Sequence, residues 1–143
     1  MRIIMRSAWL VLAVLLAACG ATTATNAPKP VSSQPAASVA QISVADLKAQ
    51  LDRGESMLLL DVRSAEEYAN DGHVAGSTLI PLPELANRLR ELPADTPIVC
   101  ICRSGNRSAT ACDLLARQGF TKLSNVQGGM IAWAKAGFAV VRS

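Results

Sequence analysis

Several absences narrow what this chain can do. It has a single histidine, His73, and Cys100, Cys102 and Cys112 do not stand at zinc-ligand spacing with it, so no metal site is expected. No phosphate-binding loop or dinucleotide fingerprint occurs, and Gly128-Gly129 reads as a turn, so no cofactor is expected either. There is no internal repeat. The apolar run Ala8–Ala18 is only eleven residues, about 16 Å of helix against a bilayer core of about 30 Å, so it does not make a spanning helix. A basic surplus is lacking too. The formal charge is +3, but Arg2 and Arg6 precede the apolar run, and without them 12 basic residues face 11 acidic ones. A near-neutral remainder gives no case for nucleic-acid binding, which needs a clustered basic surface.

What is present begins with an export signal. Arg2 and Arg6 form a positive start, the apolar run follows, and it ends Leu16-Ala17-Ala18-Cys19-Gly20. A Leu three residues before a Cys, with small residues between, resembles the bacterial lipobox. That resemblance implies cleavage after residue 18, diacylation of Cys19 and lipid attachment outside the cytoplasmic membrane of a bacterium, where two or more acyl chains anchor stably. The competing expectation is ordinary cleavage after Ala18 or Ala21, which releases the protein.

Residues 19–40 follow as the acylated Cys and a tether. Gly20–Ala40 is rich in Ala, Thr, Ser and Pro, carries one charge, Lys29, and lacks Leu, Ile and aromatic residues, so it has too little to bury. Residues 41–143 are room for one domain. Here strand and helix signals alternate. Ser43 and Asp46 form a capping box opening a helix through Leu51, and Met57–Leu60 is a continuous apolar run suited to a strand buried on both faces. Ser64 and Glu67 form a second capping box, opening a helix through Tyr68, and Ser77–Ile80 reads as a strand. Pro83 suits the first turn of a helix to about Leu89. Ile98–Cys102 is a strand, Arg107–Gln118 a helix closed by Gly119, and Lys122–Val126 a last strand before a helix around Trp133. The pattern predicts an α/β fold, a central, mostly parallel sheet flanked by helices.

In such sheets chemistry sits beyond the carboxyl ends of the strands, and Cys102 falls there. After it come Arg103, Ser104, Gly105, Asn106, Arg107 and Ser108, then a helix. A loop between a strand end and a helix N-terminus turns successive N–H groups inward as an anion nest. Gly105 and Asn106 tolerate left-handed backbone, and Arg103 and Arg107 add charge. All of this favours thiolate over thiol at Cys102, and would favour an anionic persulfide on the same sulfur.

The run Cys102–Ser108 resembles the active-site loop of single-domain rhodaneses. Asp61-Val62-Arg63 with Glu67-Tyr68, then Gly72–Ser77, then Gly128-Gly129-Met130 with Trp133 and Gly137 are similar to the family's other signatures, in the same order. The resemblance spans Ile42–Val141 and implies a rhodanese-like fold with a five-stranded sheet. It implies a sulfurtransferase: the Cys102 thiolate takes the sulfane sulfur of thiosulfate or another persulfide and passes it to a thiophilic acceptor in a ping-pong cycle. Partners would be small sulfur donors and acceptors or a persulfide-bearing protein. An alternative of another class is a sulfur-carrier or binding module serving a protein partner with little small-molecule turnover. The short loops leave the pocket open to either kind of donor.

Cysteine phosphatases carry Cys-x5-Arg, whereas Arg107 follows Cys102 as Cys-x4-Arg, a smaller cradle suited to one sulfur. For His73 a structural turn role is expected over a Cys–His pair. Asp61 and Arg63 flank the site in support: the carboxylate either orients loop groups such as Arg107 or makes a structural ion pair. Cys100 and Cys112 read as small core residues, with a resolving thiol as the minor reading. Trp133 and Tyr68 read as core fillers.

Overall fold

The computed structural model describes residues 38–142; Cys19, the signal segment and most of the tether lie outside the described residues. The elements run β1 (Ala40–Ile42), α1 (Val44–Asp52), β2 (Leu58–Asp61), α2 (Ala65–Asn70), β3 (Thr78–Leu79), α3 (Leu82–Leu85), a 3-10 turn (Leu89–Glu91), β4 (Ile98–Ile101), α4 (Asn106–Arg117), β5 (Leu123–Val126) and α5 (Gly129–Lys135). The five strands form one sheet in the order β1-β5-β4-β2-β3, parallel at every pairing.

Side chains alternate between the two faces of that sheet. Leu60, Ile98 and Cys100 meet Leu85, Ala111 and Leu115 on one side, while Leu59, Val99 and Ile101 meet Leu47, Met130 and Trp133 on the other. This two-sided burial explains the unbroken apolar runs of β2 and β4, and each fully buried Leu or Ile contributes about 1.5–3 kcal/mol. Both expected capping boxes form, Ser43 with Asp46 and Ser64 with Glu67.

Most element ends fall within one or two residues of the sequence reading, and two differences matter more. The tether was expected to continue through Ala40, but Ala40 already pairs with Ser124 as the first residue of edge strand β1. The helix expected from Pro83 to about Leu89 is a four-residue turn of helix followed by a separate 3-10 turn, with Arg88 between them outside helical geometry.

Chain order places the site. From β2 the chain steps outward to β3, returns across the sheet to β4, and steps the other way to β5. The reversal lies between β2 and β4, where Asp61 and Ile101 are in register. The segments leaving these strands diverge and open a crevice at their carboxyl ends.

Candidate functional site at the carboxyl end of β4

Cys102 is the first residue beyond β4 and is 1% exposed. The pocket was expected to be open, yet the sulfur that it would serve is buried. The chain then turns through Gly105, at φ +98° in left-handed backbone, into α4. This turn carries the Gly105 N–H back to donate to Cys102 Sγ at 3.1 Å. Ser108, fully buried on the first turn of α4, places its hydroxyl 3.3 Å from Sγ and 3.1 Å from the Gly105 carbonyl. One hydroxyl proton serves one acceptor at a time, so it can turn to the sulfur when the sulfur is anionic. Burial pushes the Cys102 thiol up. The Ser108 hydroxyl and the N–H groups of Ser108, Ser104 and Gly105 outweigh it, leaving the thiol below its ordinary value.

The Arg107 charge interacts with Cys102 as expected, although its guanidinium does not donate to the sulfur. Arg107 is engaged by Glu67, its two terminal nitrogens donating to the two carboxylate oxygens at 2.7 and 2.6 Å. Glu67 is held well below its ordinary value, at about 2, first by that bond from Arg107. The same carboxylate caps α2 by accepting from the Ser64 N–H at 3.1 Å. Arg103 is exposed, and among the described residues it has no hydrogen bond or ion pair through its side chain. The sulfur is thus served by hydroxyl and backbone N–H donors, with neither guanidinium on it.

Asp61 does not reach Arg107. It pairs with Arg63, which donates from Nε at 3.0 Å and from a terminal nitrogen at 2.7 Å, both residues being at most 1% exposed. Arg63 also donates to the Gly72 carbonyl at 2.9 Å and the Glu67 carbonyl at 3.3 Å. Of the two readings of Asp61, the structural ion pair is the one formed. It ties the end of β2 to α2 and the turn after it.

A third support comes from α5. The Met130 and Ile131 N–H groups donate to the Cys102 and Arg103 carbonyls at 2.8 and 3.0 Å. That close approach needs Gly129, at φ +52°, where a Cβ would lie 2.1 Å from the Cys102 carbonyl oxygen. Gly128-Gly129 is more than the turn read from sequence: it seats the backbone of Cys102.

Residues 43–136 match the rhodanese-like domain family. The chain belongs to the rhodanese family. A protein from Allochromatium vinosum named "Sulfurtransferase" is 37% identical over 103 residues, covering 72% of this chain and 95% of its own. "Putative sulfur carrier protein YrkF" of Bacillus subtilis is 42% identical over 102 residues, 71% of this chain but only 55% of its own length. A rhodanese-related protein of Thermoplasma volcanium superposes with a TM-score of 0.65 at 34% identity, over 73% of this chain and 99% of that one.

Within this rhodanese domain the remaining residues take structural places. His73 stacks on Tyr68 with ring centroids 3.6 Å apart, its Nδ1 lies 3.1 Å from the Tyr68 carbonyl, and its backbone bridges Val141. It has no contact with the sulfur. Cys100 and Cys112 are fully buried under the site. The Cys112 thiol beside it, and then burial, hold Cys100 as a thiol. Among the described residues no group of three or more His, Cys, Asp or Glu is gathered to hold a metal ion. No helix among them is long and apolar enough to cross a membrane. The residue that sequence reasoning missed is Glu67, seen there only as a cap and part of a family signature. Its signal was topological: two helix N-termini rise side by side from neighbouring parallel strands, so the first-turn residues Glu67 and Arg107 face each other.

Proposed function

We propose that the protein is a sulfurtransferase that carries sulfur as a persulfide on Cys102. The observation that carries the reading is the buried sulfur receiving the Gly105 N–H and facing the Ser108 hydroxyl, a cradle for one anionic sulfur atom. The names of the sulfurtransferase and sulfur-carrier relatives support the same chemistry.

The Cys102 thiolate attacks the outer sulfur of thiosulfate. The S–S bond of the donor breaks, sulfite leaves with its electron pair, and Cys102 holds the new S–S bond. N–H groups of Ser104, Gly105 and Ser108 that favour the thiolate also favour the persulfide anion. An acceptor thiolate, sulfite or cyanide then attacks the outer sulfur and regenerates the Cys102 thiolate. We further propose that lipid on Cys19 holds the domain outside the cytoplasmic membrane of a bacterial cell.

The test is thiosulfate sulfurtransferase activity of the full chain, with intact mass before and after donor. An adduct of about 32 Da on Cys102, lost on adding cyanide or thiol and missing in Cys102→Ser, is the expected result. A folded, reduced protein with neither adduct nor turnover would sink the reading and leave a binding module for a protein partner.

A further inference from the structure

The two segments that open the crevice balance their charges. Residues 61–67 carry Asp61, Arg63, Glu66 and Glu67, and residues 102–108 carry Arg103 and Arg107, so three carboxylates stand against three guanidiniums. Arg63 is engaged by Asp61 and buried with it. Arg107 is engaged by Glu67 through both terminal nitrogens and both carboxylate oxygens. Of these guanidiniums only Arg103 has no hydrogen bond or ion pair through its side chain among the described residues. A cleft that draws in a highly charged anion works by leaving its cations unbalanced, and this one does the opposite.

The two members of the Glu67–Arg107 pair are not equally free. The Glu67 carboxylate also accepts from the Ser64 N–H at 3.1 Å and completes the capping box of α2, so it is fixed to its helix. Arg107 is the longer and the more exposed of the two. It is held as a cation first by Glu67, and its charge also acts on Cys102 and Asp61. An anion arriving at Cys102 would feel Arg107, but it would compete for it with a carboxylate that cannot follow, and that carboxylate repels it.

We propose that Glu67 sets the donor charge that the site accepts, withholding Arg107 from the donor and so disfavouring a dianionic sulfur donor against an otherwise similar monoanionic one. The inference rests on the sulfur-transfer reading above and adds to it a positioning residue that acts through Arg107. Thiosulfate and methanethiosulfonate isolate the charge, since a methyl group stands in the second where the first has a charged oxygen. With either donor the Cys102 thiolate attacks the outer sulfur, the donor S–S bond breaks and a new one forms at Cys102. Sulfite leaves in the first case and methanesulfinate in the second, each with the electron pair of the broken bond. No proton is transferred and no oxidant is consumed.

The experiment measures kcat/KM of the full chain for both donors with cyanide as acceptor, at low and at high salt. Glu67→Gln removes the charge but keeps a side chain that serves in a capping box. The ratio of thiosulfate to methanethiosulfonate is expected to rise about fivefold in this variant at low salt, and the rise should shrink at high salt. A change in the amount of Cys102 thiolate cancels in that ratio, because both donors need it. Arg107→Gln should move the ratio the other way, and the double variant, again without net charge at the pair, should return to within about twofold of wild type. A purely structural link would not give opposite signs. Equal loss on both donors in every variant, or a ratio unmoved by Glu67→Gln, overturns the role of Glu67 and leaves the sulfur-transfer reading intact. Failure of both donors to load Cys102 in the folded, reduced wild type removes both.

Discussion

Cys102 is a sulfur whose burial alone would keep it protonated. Its activation depends on donors fixed by the loop, and the Ser108 hydroxyl is the one that a single substitution removes cleanly. A hydrogen bond to a charged group contributes about 1.5–3 kcal/mol. Ser108→Ala is therefore expected to raise the Cys102 midpoint by about one unit or more and to slow its alkylation near neutral pH about tenfold. The pH dependence of iodoacetamide alkylation measures this, and an unmoved midpoint would leave the N–H groups as the whole cause. Asp61 makes a different kind of contribution. Its removal strands the buried Arg63 guanidinium, so Asp61→Ala should cost about 3–5 kcal/mol in denaturant unfolding. The place of Cys102 and its loop was legible in the residues because strand end, glycine and helix start follow directly in sequence. The partners of the charges were not: Asp61 and Arg107 are close in topology, but the choice of Arg63 for one and Glu67 for the other depends on side-chain reach across the crevice.

At the scale of elements, the site is a junction of three helix N-termini. α4 supplies the nest, α2 supplies Glu67, and α5 supports the carbonyls behind the sulfur. Gly129→Ala tests the last contact. A methyl cannot sit 2.1 Å from the Cys102 carbonyl oxygen, so the α5 start or the loop must move. Loss of sulfur transfer by tenfold or more is expected in a protein that still folds at low temperature, read by activity together with circular dichroism, since small misplacements of a reacting group are costly. The α2–α4 link has a pH signature. Glu67 ionises at about 2 in the folded protein against an ordinary 4.5. Its contribution is fully present above about pH 4.5 and is lost as the pH falls toward 2. Arg107 is 39% exposed, so screening holds the contribution to about 1 kcal/mol. Glu67→Gln should flatten this part of the acid stability curve; an unchanged curve would mean that the pair adds nothing. β4, a continuous apolar run, and α4, the twelve-residue helix after the glycine turn, were readable from sequence. β1 was not, because Ala40–Ile42 is a three-residue edge strand defined by pairing with β5 rather than by any pattern of its own. α3 was overextended because Pro83 marks a helix start but says nothing of its length.

For the whole molecule, topology decides more than composition. The reversal of strand order between β2 and β4 leaves a crevice, and it brings together residues 61–67 and 102–108, with Glu67 and Arg107 40 residues apart in sequence. The expectation of a mostly parallel sheet was right because strands alternated with helices; that every pairing is parallel follows once each crossover carries a helix or helical turn. The proposed location outside the cytoplasmic membrane rests instead on the short motif Leu16-Ala17-Ala18-Cys19. We expect the mature chain from a bacterial host to begin at Cys19 and to carry acyl chains. A single chain holds a protein to a membrane only marginally, whereas two or more hold it stably. The N-terminal peptide should therefore appear by mass spectrometry as a Cys19 peptide with the added mass of at least two fatty acyl groups, and the protein should partition into detergent. An unmodified peptide beginning at Cys19 or after Ala21 would instead make this a released protein. The sulfur chemistry of Cys102 would be unaffected, but its acceptors would no longer be confined to the membrane surface.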